Sequence, residues 1–470
     1  MYPRRLVARH GERRTLRDIR GAAPQKHVAT GRRSHGCSAG MFPKMISLLG
    51  LVAFIALGWL LSNNRRAFPW RTVLWGLGLQ FAFALFILHT PIGKGLFSAA
   101  TDMVGQLNLF AIEGAKMVFG PLVDSAKTAV GFNPATGSAF VVLIPSSGAV
   151  FAILIAATII LISALSALLY HWGVLQKVVA GMAWVMMRTM RTSGSESLAG
   201  ASNIFLGQTE AALLIKPYLP KMTQSEIMAL MVTGFSTIAT GVMVVYAGLP
   251  AMSAGHIVTA SVLGAPAGLL MAKVMFPETE KSETGERHHF AVKRTATNSI
   301  DALCTGAGEG VMLSLNVIGM LLAFVAVVAL VNALVSWPQH ALGVGEPVTL
   351  QQFFGWVNAP FAWLLGVPAK DCGFIGQILG ERVVLNEFVA YIDLSKHVVA
   401  HPGAIEPRSV LLASYALCGF ANFASIAIQI GGIGALCPER RGDLAKIGLR
   451  AMFSGLLACY VMTAIVGILI

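Results

Sequence analysis

Long stretches of apolar residues constrain this chain more than any other feature of its sequence. Eight of them are long enough for a membrane helix, which needs about 20 mostly apolar residues. They are 45–62, 70–89, 139–169, 225–248, 254–276, 308–336, 408–431 and 447–470. Charged residues make up only 12% of the chain, against about a quarter in soluble domains. We therefore exclude a soluble globule, a disordered chain and a coiled coil, and expect an all-α, multi-pass protein of the cell (inner) membrane.

The connections between the apolar stretches predict an orientation. Lys and Arg are concentrated in 63–71, 171–192, 277–305 and 437–446. These four connections fall on one side when the spans alternate, and the positive-inside rule makes that side the cytoplasm. Both termini are then expected on the opposite side.

The N-terminal segment conflicts with this orientation. Residues 1–40 contain ten Lys or Arg and two acidic residues, a net +8 out of +13 for the chain. Such a segment resists export. We hypothesise that the native start is Met41 or Met45 and that residues 1–40 are a mis-assigned extension; the alternative is a disordered basic tail. N-terminal sequencing distinguishes the two.

Three segments differ from ordinary spans. Residues 171–192 predict an amphipathic interfacial helix with Trp172 and Trp184 as anchors; a short ninth span is the alternative. Residues 193–222 and 351–392 are apolar but interrupted by Gly, Pro and polar residues. Irregular backbone at membrane depth is tolerated only where protein or a cavity covers it, so both predict re-entrant helical hairpins.

The hairpins belong to an internal repeat. Each is followed by a span with Gly-Phe and then small or polar residues at its middle, 234–240 after the first and 419–425 after the second. The first hairpin enters from the cytoplasm and the second from outside. This is an inverted repeat, which in transporters places the substrate site at the repeat interface.

Acids and amides in the hairpins are the candidate binding groups. Gln208, Thr209 and Glu210 lie in the first hairpin, and Asn386 and Glu387 in the second. An ionisable group costs about 2.5–3.5 kcal/mol at membrane depth on insertion scales, so each needs a partner or a cavity. One interpretation is hydrogen bonding to a neutral solute with donors and acceptors. The other is that these residues cap the hairpin tips.

A cation site is a further possibility. Unwound carbonyls together with the oxygens of Asn203 and Thr237 would suit a hard cation such as sodium. The alternative is that Ser236 and Thr237 hydrogen bond to the preceding helical turn. No Ser/His/Asp or Cys/His set is spaced for catalysis, so we expect no enzyme.

Four motifs make the chain resemble the concentrative nucleoside transporters. They are GQTEAALLIKPYL (207–219), TQSEIMALMVTGFSTIATGVMVVY (223–246), LNEFVAY (385–391) and SYALCGFANFASIAI (414–428). The similarity runs in order through about 45–470. It implies eight spans, two hairpins and an interfacial helix, a homotrimer, and a substrate compartment that moves as an elevator.

The resemblance also implies roles for individual residues. Gln208, Thr209 and Glu210 would contact the nucleoside base, with Val242 packing nearby. The residues implied to bind the ribose hydroxyls or line the pocket are Glu387, Phe420, Asn422 and Ser425. Sodium would bind the side chains of Asn203 and Thr237 and the carbonyls of Leu206, Thr237 and Ile238.

Two positions depart from the family pattern. Ala212 stands where Pro is frequent, and Arg382 stands where Lys is usual. A forked guanidinium donor thus replaces a point charge at the second position.

These observations predict a secondary transporter that imports nucleosides by cation symport, with sodium favoured and no bound cofactor. The alternatives are proton-coupled symport and a nucleoside-binding membrane sensor that does not transport. We expect five segments: the basic extension 1–44, scaffold spans with the interfacial helix 45–192, a first transport repeat 193–276, a loop and long scaffold span 277–350, and a second repeat 351–470.

Overall fold

The structure is a computed structural model. It describes residues 41–119, 129–132, 139–142, 151–250, 252–284 and 296–470. The hypothesis about residues 1–40 lies outside the described residues.

The described chain is helical apart from one short strand pair. The helices of its first half are α1 (Met41–Leu60), α2 (Trp70–His89), α3 (Pro91–Phe119), α4 (Phe151–His171), α5 (Val174–Met190), α6 (Gly194–Asn203), α7 (Glu210–Leu214), α8 (Gln224–Ser236), α9 (Thr240–Ala247) and α10 (Ala254–Met275). Those of its second half are α11 (Ser299–Ala341), α12 (Leu350–Leu364), α13 (Cys372–Val384), α14 (Glu387–Ala400), α15 (Pro407–Leu417), α16 (Phe423–Leu436) and α17 (Arg441–Leu469).

Polar caps fix where several of these helices begin. Ser193 and Glu196 form a capping box at the start of α6, and Thr223 and Glu226 form another at the start of α8. In each box the hydroxyl accepts from a helix N–H and the carboxylate accepts from the cap N–H, so two otherwise unpaired donors are satisfied.

The helices form a buried centre and an outer layer. Helices α8, α10 and α17 are buried along most of their length, whereas α1, α2, α4 and α11 leave much apolar surface exposed. Seven helical stretches of the described part are long and apolar enough to cross a membrane, with α8 and the following α9 counted as one. The predicted span 408–431 is not among them, because it is divided into α15 and α16. The predicted all-α, multi-pass fold is thereby confirmed.

The two interrupted spans cross each other at their breaks. Helices α8 and α9 are separated at 237–239, and α15 and α16 at 418–422. Gly419 has φ +151°, and a Cβ added there would lie 2.6 Å from the Phe235 carbonyl oxygen and 2.8 Å from Cys459 Sγ. On α10, Gly264 leaves room for Ser236, whose hydroxyl donates to the Gly264 carbonyl at 2.9 Å. The breaks of both repeat units therefore lie together in the interior.

The predicted span 139–169 was wrong at its N-terminal end. Its helix, α4, begins at Phe151, and the strand β2 (Ala139–Val142) pairs antiparallel with β1 (Ala129–Phe132). Phe140, Val141 and Val142 are residue types that favour a strand. Pro145 in the sequence disfavours one continuous helix through 139–169. The connection 91–138 also contains α3, a helix of 29 residues.

The second hairpin begins later than expected. Helix α12 is a separate element that packs closely on α13: a Cβ on Gly376 would lie 2.6 Å from the Gly355 carbonyl oxygen. The second hairpin itself consists of α13 and α14, which meet at Leu385 and Asn386.

The span predicted at 308–336 is the middle part of a longer helix, α11, which has 43 residues.

The amphipathic helix predicted at 171–192 corresponds to α5. Its buried residues recur on one face, at Leu175, Val179, Ala183, Met186 and Met190. Trp184 is exposed on the opposite face, and Trp172 is exposed in the turn just before the helix, as anchors in a membrane interface would be.

Candidate functional site

A buried carboxylate is the centre of the candidate site. Glu387 is the first residue of α14 and is 4% exposed. Its Oε1 accepts from the Tyr246 hydroxyl at 2.8 Å, and its Oε2 accepts from Asn422 Nδ2 at 2.9 Å. Burying a charge is expensive unless its oxygens are hydrogen bonded. These two donors, one from each repeat unit, supply that stabilisation.

The donors are themselves held in place. Tyr246 stacks on Tyr391 with ring centroids 4.7 Å apart. Asn422 caps α16, because its Oδ1 accepts from the Ser425 N–H at 2.8 Å. Asn386 caps α14 through the Val389 N–H, so the capping interpretation holds for this amide. The site around Glu387 is thus preorganised by aromatic packing and helix caps.

A second polar pair joins the first hairpin to α16. Gln429 is fully buried, and its Nε2 donates to Gln208 Oε1 at 2.8 Å and to the Met231 carbonyl at 3.1 Å. Gln429 Oε1 has no partner among the described residues. A buried amide with one unused acceptor is suited to accept a further donor from a bound molecule.

One face of α16 connects the two polar clusters. Asn422, Ser425 and Gln429 are all buried and follow the spacing of a single helix face. Thr209 contacts the same helix, since a Cβ on Gly432 would lie 2.3 Å from its Cγ2. Gln429 lies seven positions after Asn422, which is a distance of about 10 Å along the axis. The clusters therefore form the two ends of an elongated polar strip.

Glu210 occupies a different position. It is exposed and lines a cavity of about 460 Å³, together with Ser163 and Tyr170 of α4 and Thr305 and Glu309 of α11. Glu387 is not among the residues that line this cavity. The structure thus places the two acids in separate surroundings.

The remaining substrate residues of the prediction are partly or fully buried. Val242 lies in the core of α9, 4% exposed. Phe420 is partly buried in the non-helical segment before α16, where its carbonyl accepts from the Asn422 N–H at 2.9 Å. Phe420 is therefore adjacent to the Glu387 cluster through the backbone of Asn422.

The residues of the candidate sodium site lie where the first hairpin meets the break after α8. Asn203 is 1% exposed; its Nδ2 donates to Thr233 Oγ1 at 3.1 Å, while its Oδ1 has no partner among the described residues. Thr237 Oγ1 donates to the Thr233 carbonyl at 2.8 Å, as the alternative interpretation of this residue expected. The carbonyls of Leu206, Thr237 and Ile238 accept no hydrogen bond from the described part of the chain.

These features fit a hard cation. Unpaired carbonyl and amide oxygens are the ligands that sodium-type sites use at unwound helices. A buried amide oxygen without a donor is uncommon in folded proteins. Asn203 Oδ1 is such an oxygen, so the donor set of the prediction is chemically suited to sodium.

Arg382 is a fully buried cation in the last turn of α13. Its Nη1 donates to the Ala416 carbonyl and its Nη2 to Cys459 Sγ at 3.0 Å. The guanidinium thus ties α13 to α15 and α17. A forked donor can reach two acceptors at once, which is what Arg does here in place of Lys.

Family models match most of the chain. "Na+ dependent nucleoside transporter C-terminus" matches residues 256–467, "Na+ dependent nucleoside transporter N-terminus" matches 49–122, and "Gate: Nucleoside recognition" matches 152–251. The chain belongs to the concentrative nucleoside transporter family. This confirms the resemblance, the expectation that the chain is not an enzyme, and its place as a multi-pass protein of the cell membrane, the inner membrane in bacteria.

Several relatives cover nearly the whole chain. An uncharacterized transporter of Haemophilus influenzae is 39% identical, over 90% of this chain and 97% of the relative. The uncharacterized transporter YutK of Bacillus subtilis is also 39% identical, over 90% and 98%. Sodium/nucleoside cotransporter 1 of Mus musculus is 35% identical over 91% of this chain, which spans 64% of the mouse protein.

Solved structures share the fold. CNTnw in an inward-facing substrate-bound state is 34% identical and superposes with a TM-score of 0.80, covering 91% of this chain and 97% of CNTnw. A double variant of CNTnw in an outward-facing state gives a TM-score of 0.81 at the same identity, over 91% and 98%.

Two polar residues of the site were missed by sequence reasoning. Tyr246 is the one aromatic residue of α9, and nothing local marks it as a partner of Glu387. Gln429 had a usable signal, because it follows Asn422 and Ser425 at helical spacing and is the only amide inside α16. Glu309, which lines the cavity with Glu210, lies between Gly306 and Gly310, two glycines of α11 that pack closely on α4.

Proposed function

We propose that this protein imports nucleosides by cation symport, with sodium as the coupling ion. The observation that carries the proposal is the Glu387 carboxylate, held by Tyr246 and Asn422 at one end of the polar face of α16. A buried carboxylate with aligned neighbours can accept two hydroxyl hydrogens, as a ribose ring would offer. The relatives named as sodium/nucleoside cotransporters support this chemistry.

The other end of the polar face would recognise the base. Gln208 and Gln429 form an amide pair about 10 Å from Asn422 along α16. Amides present both donors and acceptors, which suits the edge of a nucleobase. We assign Gln208 and Thr209 to base recognition with Val242 nearby, and Glu387, Phe420, Asn422 and Ser425 to the ribose. For Glu210 the assignment to the base rests on the family resemblance alone, because its carboxylate lines the separate cavity beside α4 and α11.

Sodium would bind between the first hairpin and the break after α8. Asn203 Oδ1 and the carbonyls of Leu206, Thr237 and Ile238 are its proposed ligands, with the Thr237 hydroxyl. A hydrogen bond links the turn of the first hairpin to the break between α8 and α9, since the Thr240 hydroxyl donates to the Phe205 carbonyl at 2.6 Å. Bound sodium would therefore order the turn that carries Gln208.

We infer an elevator movement in a homotrimer. Helices α4 and α11 pack along each other and form the proposed static scaffold. The hairpins and interrupted spans would move against it, with 193–276 and 351–470 as the two repeats of the moving part. Structures of CNTnw in inward-facing and outward-facing states support alternating access.

The test is uptake by purified protein in sealed lipid vesicles. Radiolabelled uridine and adenosine are offered at fixed pH, with an inward sodium gradient or with choline in place of sodium. The proposal expects accumulation above equilibrium that requires sodium. Accumulation driven by a proton gradient alone would establish proton coupling instead, and binding without accumulation would establish a sensor.

A further inference from the structure

One buried acid has no role in the proposed mechanism. Glu381 lies in the last turn of α13 and is 5% exposed. Its Oε1 accepts from Gln377 Nε2 at 3.0 Å, but its Oε2 has no partner among the described residues. An unpaired buried oxygen on an ionisable side chain calls for a specific explanation.

The surroundings of Glu381 are tight and mostly apolar. It lines a cavity of about 10 Å³ together with Val328 of α11, Leu350 and Phe354 of α12, and Val384 at the hairpin turn. The one other polar residue of this lining is Gln351, whose Oε1 accepts from Asn332 Nδ2 at 2.9 Å. A water molecule needs a cavity of at least about 10–15 Å³ and two or more polar partners. The space beside Glu381 is at the bottom of that range, so water is poorly suited to satisfy the free oxygen.

No cation in the described neighbourhood faces this carboxyl. Helix α12 contains no ionisable residue, and α11 has none between Glu309 and His340. The adjacent Arg382 donates to the Ala416 carbonyl and Cys459. On α14, Asp393 adds a repulsive like charge.

The other charged groups next to α13 have partners of their own. Arg408 of α15 donates to the Gly366 and Gly467 carbonyls. Asp371, just before α13, accepts from Ser409 Oγ, and Glu387 accepts from Tyr246 and Asn422. Lys396 of α14 pairs with Asp393 and is largely exposed.

Glu381 is therefore accommodated here as a neutral carboxylic acid. An ionised carboxylate without a partner costs several kcal/mol when buried. A neutral acid with one unsatisfied oxygen costs about 1–3 kcal/mol. Val328 belongs to α11 and Glu381 to the second hairpin. The Glu381 carboxyl must therefore carry a proton when the second hairpin contacts α11.

We propose that Glu381 is a proton-binding site at the contact of the second hairpin with α11. Glu381 binds a proton each time the second hairpin comes into contact with α11. It releases the proton when the hairpin moves away from α11 and the carboxyl becomes exposed to water. The proposal rests on the proposed transport function, because it assigns the proton to the movement that carries the substrate.

The test compares wild type, Glu381→Gln and the control Glu406→Gln, which removes a partly exposed acid just before α15 that pairs with Lys370. Sodium-driven nucleoside uptake is measured from about pH 5.5 to pH 8.5 at saturating sodium. Wild type and the control should lose uptake as pH rises, by at most about tenfold per pH unit for one proton. Glu381→Gln, which mimics the neutral acid, should show uptake that varies little with pH. Equal pH profiles for all three proteins would overturn the proposal.

A second measurement needs no transport. A carboxyl that stays neutral in the fold but ionises when unfolded binds more protons in the folded state, so stability falls as pH rises above the ordinary range of a glutamic acid. The melting temperature of wild type in detergent should fall relative to that of Glu381→Gln over the same pH range. A constant difference would contradict the proton site. If wild type transports no nucleoside, the proposed function is refuted instead. The melting comparison would still show whether Glu381 binds a proton in the folded protein.

Discussion

At the scale of single residues, the Tyr246 hydroxyl is the group whose removal tests the site most selectively. Tyr246→Phe keeps the ring that stacks on Tyr391 and leaves Glu387 Oε1 without its donor. A hydrogen bond to a charged group contributes about 1.5–3 kcal/mol. We therefore expect nucleoside affinity to fall by roughly tenfold to a hundredfold, measured by equilibrium binding to the purified protein.

The chain offers a matched control for this change. Tyr460 is also fully buried, but its hydroxyl has no partner among the described residues. Tyr460→Phe should leave affinity unchanged, because no hydrogen bond is lost. Equal losses in the two variants would mean that the Tyr246 effect is not specific to Glu387.

Asn203 provides the residue-level test of sodium binding. Asn203→Ala removes the unpaired buried oxygen that we assign to sodium. The sodium concentration for half-maximal uptake should rise about tenfold or more, since one charge-assisted ligand is lost. Thr233→Val is the control, because it removes the partner of Asn203 Nδ2 and leaves Oδ1 in place. An unchanged sodium dependence in Asn203→Ala would remove this residue from the ion site.

At the scale of helices, the crossing of the two breaks depends on Gly419. A side chain there would meet the Phe235 carbonyl and Cys459, and the φ of +151° is itself unfavourable for any other residue. Gly419→Ala should lower the melting temperature by several degrees or prevent folding. Gly431→Ala on α16 is the control, since a Cβ there meets nothing within 4 Å. That change should be neutral or slightly stabilising. Equal stability of the two variants would contradict the crossing.

Much of this helical arrangement could be predicted from the sequence. The Gly-Phe motifs marked both breaks, because small and polar residues in a span disrupt its helix. The strand pair and the late start of the second hairpin could not be predicted in the same way. The apolar run that contains Ala139–Val142 continues into that of α4, and periodicity alone does not distinguish a short buried strand from a buried helix. The Gly355–Gly376 contact depends on tertiary packing.

The candidate site was only partly predictable. Glu387, Asn422 and Ser425 lie on local motifs and were identified. Tyr246 is brought to Glu387 from 141 positions away in the chain, and no local pattern specifies that pairing. The separation of Glu210 from the residues around Glu387 likewise depends on how the hairpins fold against α4 and α11.

At the scale of the whole molecule, α11 has an apolar surface that the single chain leaves uncovered. Its 43 residues give a length of about 65 Å, more than twice the hydrocarbon thickness of about 30 Å. Large apolar side chains such as Leu322, Leu330 and Leu334 are exposed along it. Lipid covers such residues within the hydrocarbon, but beyond it a protein partner is needed. We expect a trimer by native mass spectrometry in mild detergent; a monomer at all detergent concentrations would contradict the proposed assembly.

Glu387 is proposed to bind the sugar of a nucleoside inside the membrane, and equilibrium binding of uridine and of 2′,3′-dideoxyuridine to wild type and to Glu387→Gln tests this. Wild type should prefer uridine by roughly a hundredfold, because the dideoxy compound lacks both hydroxyls that the carboxylate would accept from. Glu387→Gln should remain folded and bind both compounds weakly. If Glu387→Gln still prefers uridine by the wild-type factor, Glu387 does not bind the sugar.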